Sequence, residues 1–325
     1  MATSGPSFGE RAEYGESDVC YRHPGRQSFT LCQRCGRTIC AECQIQSPVG
    51  VLCRDCVKQT SAGPKGAARV GRSARVAGRR FAALEYPVTM SIIAINVIVF
   101  VLQLLSNHFG TNGVTTGLWY VPTYSLADGM HEVAPGALAG YPDGAYVDAQ
   151  FQPWRMLTVM FTHSVGFLPH ILFNMLALFM FGRNLEQMIG KWRFLALYLL
   201  AGLGGSLGVM LWGYADTVGL FTPTVGASGA IFGVLAATVV AFRSMNVNAT
   251  SLIVLLAINF GIGFMPGASI SWQAHLGGMI VGAIAMWIIV QTRGPRLQTR
   301  QTIWLAVLAA ALVALSCAFL VVSPL

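Results

Sequence analysis

A serine and a histidine lie near the starts of two apolar runs, each among small residues. Ser228 is in GASGAIFG, residues 226–233, and His275 is in WQAHLGG, residues 272–278. A serine hydroxyl beside an imidazole base can attack a carbonyl carbon, which is the chemistry of nucleophilic hydrolysis. Ser228 taken alone is better explained by helix packing, because serine is common where membrane helices touch. The hydrolytic hypothesis therefore depends on whether the two residues meet.

Two further polar residues lie four apart in the segment HILFNM. His170 and Asn174 would project from one face of a helix, because residues four apart are neighbours on a helix surface. Their ring and amide N–H groups, with the backbone N–H of Ser228, would suit a developing oxyanion. The alternative is that both side chains only form hydrogen bonds across helices. His131 and His163 have no evident partner and are expected to be loop residues.

A third group of reactive residues is near the N-terminus. Seven of the eight cysteines and one histidine form four pairs with a two-residue spacing: Cys20 with His23, Cys32 with Cys35, Cys40 with Cys43, and Cys53 with Cys56. Eight such ligands are enough for two tetrahedral Zn²⁺ sites. A disulfide framework is the alternative, but the histidine in register and an expected reducing, cytoplasmic location favour zinc. Cys317, in the last apolar run, is expected to be a small buried residue.

The composition of the chain is that of a membrane protein. Of its 325 residues 54% are hydrophobic and 10% are charged, and the mean hydropathy is +0.58. The net charge of +8 does not indicate nucleic-acid binding, because 13 of the 21 Lys and Arg residues lie in the first 80 positions without interleaved aromatic residues. Composition predicts a zinc-binding domain at 1–60, a flexible basic linker at 61–84 and a transmembrane domain at 85–325.

Seven apolar runs are candidates for membrane-spanning helices. They cover about 87–106, 168–182, 192–213, 226–242, 250–264, 273–291 and 302–322. A helix needs about 20 apolar residues to cross the hydrocarbon core, so two of the runs are short. With seven spans, the flanking Lys and Arg residues other than Arg155 fall on one side of the membrane, and the positive-inside rule makes that side cytoplasmic. These residues are Arg69, Arg72, Arg75, Arg79, Arg80, Arg183, Lys191, Arg193, Arg243, Arg293, Arg296 and Arg300. The N-terminus is then cytoplasmic and the C-terminus external.

This topology places Ser228 and His275 at similar depth, because both spans four and six start on the external side. Small residues allow the two helices to approach closely, since both contain a small-xxx-small pattern, Gly229 with Gly233 and Gly278 with Gly282. The external halves of these spans contain no Asp or Glu, so packing must orient His275 in place of a carboxylate. The external loop at 107–167 is too long for a simple connector and is expected to be a folded element at the bilayer interface.

The ordered motifs resemble the rhomboid intramembrane serine proteases. The matching residues, over about 87–291, are Trp154-Arg155, His170-x-x-x-Asn174, Gly182-x-x-x-Glu186-x-x-x-Gly190, the GASG run at Ser228 and AHLGG at His275. The resemblance implies an all-α polytopic fold, with a six-helix core and here a seventh C-terminal helix. It also implies a Ser-His dyad that cleaves transmembrane proteins near the outer membrane boundary without a catalytic metal.

The resemblance further assigns roles to individual residues. Ser228 would be the nucleophile and His275 the base, while His170, Asn174 and the Ser228 amide would form the oxyanion hole. Phe232 would pack against the His275 ring, where the family often carries tyrosine, and Phe173 would line the substrate entrance. Arg155 and Glu186 are expected to fix loop structure rather than to contact substrate.

The cysteine-rich segment is similar to a B-box-type zinc finger, a family that binds zinc in a cross-braced manner. That likeness would place Cys20, His23, Cys40 and Cys43 on one ion and Cys32, Cys35, Cys53 and Cys56 on the other, although sequential pairing stays open. Such a module is expected to be structural and to bind a protein partner rather than nucleic acid. For the whole chain, the rival functions are an inactive relative that binds membrane helices and a transporter. An inactive relative would be expected to lack Ser228 or His275, and a transporter would need charged residues along its pathway.

Overall fold

The computed structural model describes residues 15, 18–47, 50–61, 85–132, 146–265 and 270–322. The chain divides into two compact units, Met1–Ala82 and Ala83–Leu325. The linker arginines that the sequence analysis used to orient the spans lie outside the described residues: Arg69, Arg72, Arg75, Arg79 and Arg80. The same holds for 62–84, which is nearly all of the predicted linker.

In its described residues, the N-terminal unit contains two β-hairpins and one α-helix. Strand β1 (Val19–Cys20) pairs antiparallel with β2 (His23–Gln27), and β3 (Gln44–Ser47) pairs antiparallel with β4 (Gly50–Cys53). Helix α1 (Arg54–Ser61) follows β4 directly. The buried core of this unit consists of Ile39 and the cysteines Cys20, Cys32, Cys40, Cys43, Cys53 and Cys56. A module with so few apolar residues needs a cross-link or a metal to be stable.

The second unit is mostly helical. Its longer helices are α2 (Pro87–His108), α5 (Leu168–Ala177), α6 (Arg183–Ile189), α7 (Lys191–Trp212), α8 (Ser228–Ser244), α9 (Thr250–Ile262), α10 (Trp272–Gln291) and α11 (Gln298–Ala318). A π-helical turn, Leu178–Gly182, joins α5 to α6. Two short helices, α3 (Gly113–Leu118) and α4 (Arg155–Thr158), lie in the segment between α2 and α5.

Length and hydropathy make this unit an integral, multi-pass membrane domain. Among the described residues four helices are long and apolar enough to cross a bilayer: α2, α7, α10 and Pro295–Ala318, which contains α11. Helices α8 and α9 are apolar but shorter, at 17 and 13 residues. The predicted all-α polytopic fold is confirmed. Some helix boundaries differ from the predicted ones. Helix α8 begins at Ser228 rather than at 226, and α11 covers 298–318 rather than 302–322.

Helices α7, α8 and α10 form the centre of the unit and pack against one another. Their contact is made by glycines. A side chain at Gly278 on α10 would overlap the carbonyl oxygen of Gly229 on α8, and one at Gly282 would overlap that of Gly233. On the other side of α10, a side chain at Gly277 would overlap the carbonyl oxygen of Gly204 on α7. Backbone therefore packs on backbone, as small-residue patterns predict for membrane helices.

The start of α2 is held by a carboxylate from another helix. Glu186 on α6 accepts hydrogen bonds from the backbone N–H of Val88, at 2.9 Å, and from the N–H and hydroxyl of Thr89, both at 2.7 Å. Free N–H groups and the helix dipole favour an anion at a helix start. Glu186 thus fixes α2 to α6, which is a structural role as expected.

The segment between α2 and α5 is a folded element where the structure describes it. Strands β5 (Gly129–Glu132) and β6 (Tyr146–Ala149) form an antiparallel hairpin, and the fully buried Tyr120 bonds through its hydroxyl to Ser125, at 2.9 Å. Arg155 is buried, and its guanidinium donates to the carbonyl oxygens of Thr116 and Trp119. Arg155 therefore fixes this loop.

One expectation about the last helix is wrong. Cys317 is exposed rather than buried, because only one side of α11 packs against the other helices. The buried residues of α11 are Gln301 and Leu312. Cys317 lies on the side of α11 that faces away from the other helices, where a membrane would supply apolar surroundings. Cysteine suits such surroundings because it behaves as a small hydrophobic residue.

Candidate active site and metal centres

Ser228 and His275 are brought together by the start of α8 and the first turn of α10. The imidazole Nε2 of His275 lies 2.9 Å from the hydroxyl Oγ of Ser228, which is hydrogen-bond distance. Ser228 is the first residue of α8, and His275 is the fourth residue of α10. The glycine contacts between the two helices allow this approach, since a larger residue at Gly278 would push α10 away from α8. The pair has the geometry of a nucleophile and its general base.

The imidazole of His275 is held by an aromatic ring. Phe232, one turn after Ser228 on α8, stacks on it with centroids 3.9 Å apart and planes inclined by 11°. His275 is buried, and its Nδ1 has no hydrogen-bond partner among the described residues. Soluble serine proteases use a carboxylate at that nitrogen to orient the ring. Here the stacked phenyl ring restricts the imidazole.

His170, at the start of α5, reaches the same place from a third helix. The loop N–H of Ser164 donates to Nδ1 of His170, at 3.3 Å. A ring nitrogen that accepts a hydrogen bond carries no proton, so the neutral ring carries its proton on Nε2. That nitrogen faces Gly226, where an added Cβ atom would lie 2.8 Å from Nε2 and 3.7 Å from the Ser228 hydroxyl. An N–H donor from His170 is therefore directed towards the space beside Ser228.

Asn174 lies one turn after His170 and is buried. Its Nδ2 donates to the carbonyl oxygen of His170, at 2.7 Å. This bond uses one of the two amide protons and leaves the second for another acceptor. The structure thus brings His170 close to the Ser228–His275 pair and places Asn174 next to His170 on α5.

Gly226 has a backbone conformation that other residues rarely adopt. Its φ angle is +126°, two residues before the start of α8. A side chain there would be strained by the backbone and would also contact the His170 ring. The GASG sequence therefore needs its first glycine both to turn the chain into α8 and to leave room for the imidazole.

His163 lies in a loop, as expected, but the sequence analysis missed its contact with His170. The side chain is fully buried, and its ring packs edge-on against His170, with centroids 5.1 Å apart. Both ring nitrogens lack hydrogen-bond partners among the described residues. Because His163 lies in a loop before α5, its spacing from His170 could not predict the contact.

The N-terminal cysteines and His23 form two clusters. Cys20, His23, Cys40 and Cys43 form one, and Cys32, Cys35, Cys53 and Cys56 form the other, with the ligand atoms of each within 4.8 Å of one another. The first ligand pair along the chain, Cys20 and His23, therefore shares a cluster with the third pair, Cys40 and Cys43. The second pair, Cys32 and Cys35, shares a cluster with the fourth, Cys53 and Cys56. None of the eight cysteines, all of which lie in the described residues, forms a disulfide.

The donor atoms have the spacing of a metal site rather than of disulfides. Nδ1 of His23 lies 3.4 Å from the sulfur atoms of Cys40 and Cys43, and the sulfur atoms of Cys35 and Cys53 lie 3.8 Å apart. Ligands on a tetrahedral Zn²⁺ at about 2.3 Å are roughly this far apart, whereas a disulfide needs about 2.05 Å.

The ionisation of the clustered thiols also fits a cation. Burial and the neighbouring thiols of Cys20 and Cys40 raise the pKa of Cys43 to about 11. Burial acts in the same sense on Cys20, but surrounding backbone N–H groups outweigh it and lower the pKa of that thiol to about 6. Neighbouring thiolates within a cluster would repel one another, and a divalent cation removes that penalty.

Comparison with known proteins agrees with this geometry. A sequence model described as a Rhomboid domain matches residues 150–292, which include Ser228, His275, His170 and Asn174. The chain is 35% identical over 148 residues to "Putative rhomboid protease YdcA" of Bacillus subtilis, a match that covers 44% of this chain and 70% of that protein.

Two longer relatives are matched over part of their length. "Rhomboid protease GluP" of Bacillus subtilis is 39% identical over 42% of this chain, and the match covers 26% of that protein. "Rhomboid protease AarA" of Providencia stuartii is 33% identical over 40% of this chain, and the match covers 54% of that protein. The chain thus spans about a quarter to a half of the length of these two curated relatives. Three observations agree: the domain match, the identity to a relative that is covered over most of its length, and the arrangement of the site. This chain belongs to the rhomboid family.

Proposed function

We propose that this protein is an intramembrane serine endopeptidase that cleaves transmembrane proteins near the outer membrane boundary. The observation that carries the proposal is the 2.9 Å hydrogen bond between Ser228 and His275 at the start of two membrane helices. Membership of the rhomboid family supports it, because the matched relatives are named as proteases.

The reaction would proceed by general base catalysis. Nε2 of His275 takes the hydroxyl proton of Ser228 while Oγ attacks the carbonyl carbon of the scissile peptide bond. The C–N bond then breaks, and the same proton passes from Nε2 to the leaving nitrogen. A water molecule next gives a proton to Nε2 and attacks the acyl carbon, and Ser228 leaves with that proton. The dyad would operate without a metal.

Three donors would stabilise the negative oxygen of each tetrahedral intermediate. The N–H of Ser228 lies at the start of α8, where backbone N–H groups have no acceptor within the helix and the helix dipole favours negative charge. Nε2–H of His170 is directed to the same side by the hydrogen bond from Ser164. The second amide proton of Asn174 would complete the oxyanion hole.

The substrate would approach from the membrane beside α5. Phe173 is 64% exposed on that helix, next to the buried Asn174, and would line the entrance. A substrate helix must unwind there, because a helical peptide bond is enclosed by its own backbone hydrogen bonds. The distribution of basic residues gives the orientation: the N-terminus would be cytoplasmic, and the C-terminus and the Ser228 site would be external.

The N-terminal clusters would each hold one structural Zn²⁺. All four ligand positions of each cluster are supplied by protein side chains, so no position is open for catalysis. The domains would be the zinc module at 1–60, a basic linker at 61–84 and the protease domain at 85–325. The module would serve as a platform for a protein partner.

Covalent labelling tests the proposed nucleophile. We expect a biotin-linked fluorophosphonate to modify the intact protein in detergent micelles at Ser228, as read by peptide mass spectrometry. His275→Ala should lower the labelling rate at least about tenfold, because the serine loses its base. Absence of labelling in the wild type, together with tight binding of membrane helices, would instead favour an inactive helix-binding protein.

A further inference from the structure

A buried amide in α2 holds the loop that orients His170. Gln103 and His163 are both fully buried. The Oε1 atom of Gln103 accepts from the backbone N–H of His163, at 3.0 Å, and its Nε2 atom donates to the backbone carbonyl oxygen of the same residue, also at 3.0 Å. The second Nε2 proton goes to the hydroxyl of Thr115, at 3.0 Å. Both amide protons and the amide oxygen therefore have partners.

The loop held by Gln103 contacts His170 in two ways. The next residue, Ser164, donates its backbone N–H to Nδ1 of His170, and the ring of His163 packs edge-on against the His170 ring. The first contact fixes which nitrogen of His170 carries the proton, and the second restricts the plane of the ring. Both depend on the position of the His163 backbone.

We propose that Gln103 is a positioning residue for the oxyanion hole, acting through His163 and Ser164 on His170. The inference rests on the proposed function, because it assigns a purpose to the Nε2 proton of His170. Gln103 itself acts from outside the dyad, because its amide bonds to the backbone of His163 and to the hydroxyl of Thr115. Its burial in an apolar helix supports the assignment, since an amide in such a place is costly unless it is fully bonded.

Asn96 provides a matched control. It is also a fully buried amide of α2, but its Nδ2 donates to the carbonyl oxygen of Ile92 within its own helix. We therefore compare Gln103→Met with Asn96→Leu, each of which replaces a buried amide by an apolar side chain of similar size. A purely structural role of Gln103 would lower the stability of Gln103→Met and leave its rate of turnover per folded molecule unchanged.

The first measurement is a double-mutant cycle on cleavage of a single-span substrate by the intact protein in micelles. Gln103→Met should lower kcat about 10- to 100-fold with KM within about twofold, because a misplaced donor weakens binding of the transition state alone. In a His170→Ala background the same substitution should have no further effect. Asn96→Leu should leave kcat within about twofold in both backgrounds. An equal loss from Gln103→Met with and without His170 would overturn the proposal.

The second measurement needs no activity, so it separates failure of this inference from failure of the proposed function. Backbone hydrogen exchange of the segment 162–168, read by mass spectrometry, should be faster in Gln103→Met and unchanged in Asn96→Leu. Unchanged exchange in Gln103→Met would refute the link between Gln103 and the loop. If the wild type failed to cleave and fluorophosphonate did not label Ser228, the proposed function would be wrong. The role of Gln103 in catalysis would then also be wrong. Hydrogen exchange would still report whether Gln103 holds the loop.

Discussion

The backbone of Gly278 lies directly against the carbonyl oxygen of Gly229, so that no side chain fits between α10 and α8 at this point. This contact is close to both reacting residues, because Gly229 directly follows Ser228 and Gly278 lies three residues, less than one turn, after His275. The separation of the serine and the imidazole is therefore set by glycine packing between two helices.

Gly278→Ala tests this relationship. Its methyl group would force α10 away from α8, so we expect a loss of about 1–3 kcal/mol in stability, seen as a lower melting temperature, and at least about a tenfold loss of cleavage. Gly261→Ala on α9 is the control, since a Cβ atom there meets nothing within 4 Å. Equal activity of the two variants would show that close glycine packing does not set the geometry of the dyad.

Gly226→Ala separates contact with His170 from backbone strain. The new methyl group would lie 2.8 Å from Nε2 of His170, where the proposed oxyanion donor points. We expect kcat to fall by about a hundredfold, the effect of losing one such donor. Gly129→Ala is the matched control, because Gly129 has a similar φ angle of +131° and nothing within 4 Å of an added Cβ atom. If both variants lost activity to the same extent, strain alone would explain the result.

Metal analysis of the full chain tests the two N-terminal clusters. We expect two Zn²⁺ per chain, and one tightly held ion in the variant Cys20→Ser with Cys43→Ser, because both residues belong to the same cluster. Sequential pairing would instead remove one ligand from each site, so that a chelator would strip both ions. Wild-type protein purified under reducing conditions with no zinc would contradict the assignment.

Much of the helical fold could be predicted from the sequence. Each apolar run is long or distinctive enough to indicate a helix, and the small residues around Ser228 and His275 indicate where two helices touch. The seven predicted runs each overlap a helix of the structure, while their ends are shifted by a few residues because caps and the π-turn at Leu178–Gly182 leave no hydropathy signal.

The support of the site could not be predicted in the same way. Gln103 and His163 are 60 residues apart, and the contact is made to backbone groups, which no side-chain pattern reveals. The one available signal was an amide in an apolar span, which marks a functional candidate without naming its partner and which Asn96 in the same helix also gives. His170 was identified by its spacing from Asn174, but the proton on its Nε2 follows from a loop N–H that is visible only in three dimensions.

The most direct test of the account is cleavage of a purified single-span substrate by the wild type and by Ser228→Ala. We expect the wild type to cut the substrate near its outer membrane boundary, and Ser228→Ala to be slower by more than about a thousandfold. Ser316→Ala is the control, because that serine bonds only within α11, to the carbonyl oxygen of Leu312, and should keep full activity. Cleavage by Ser228→Ala at the wild-type rate would contradict the proposed mechanism.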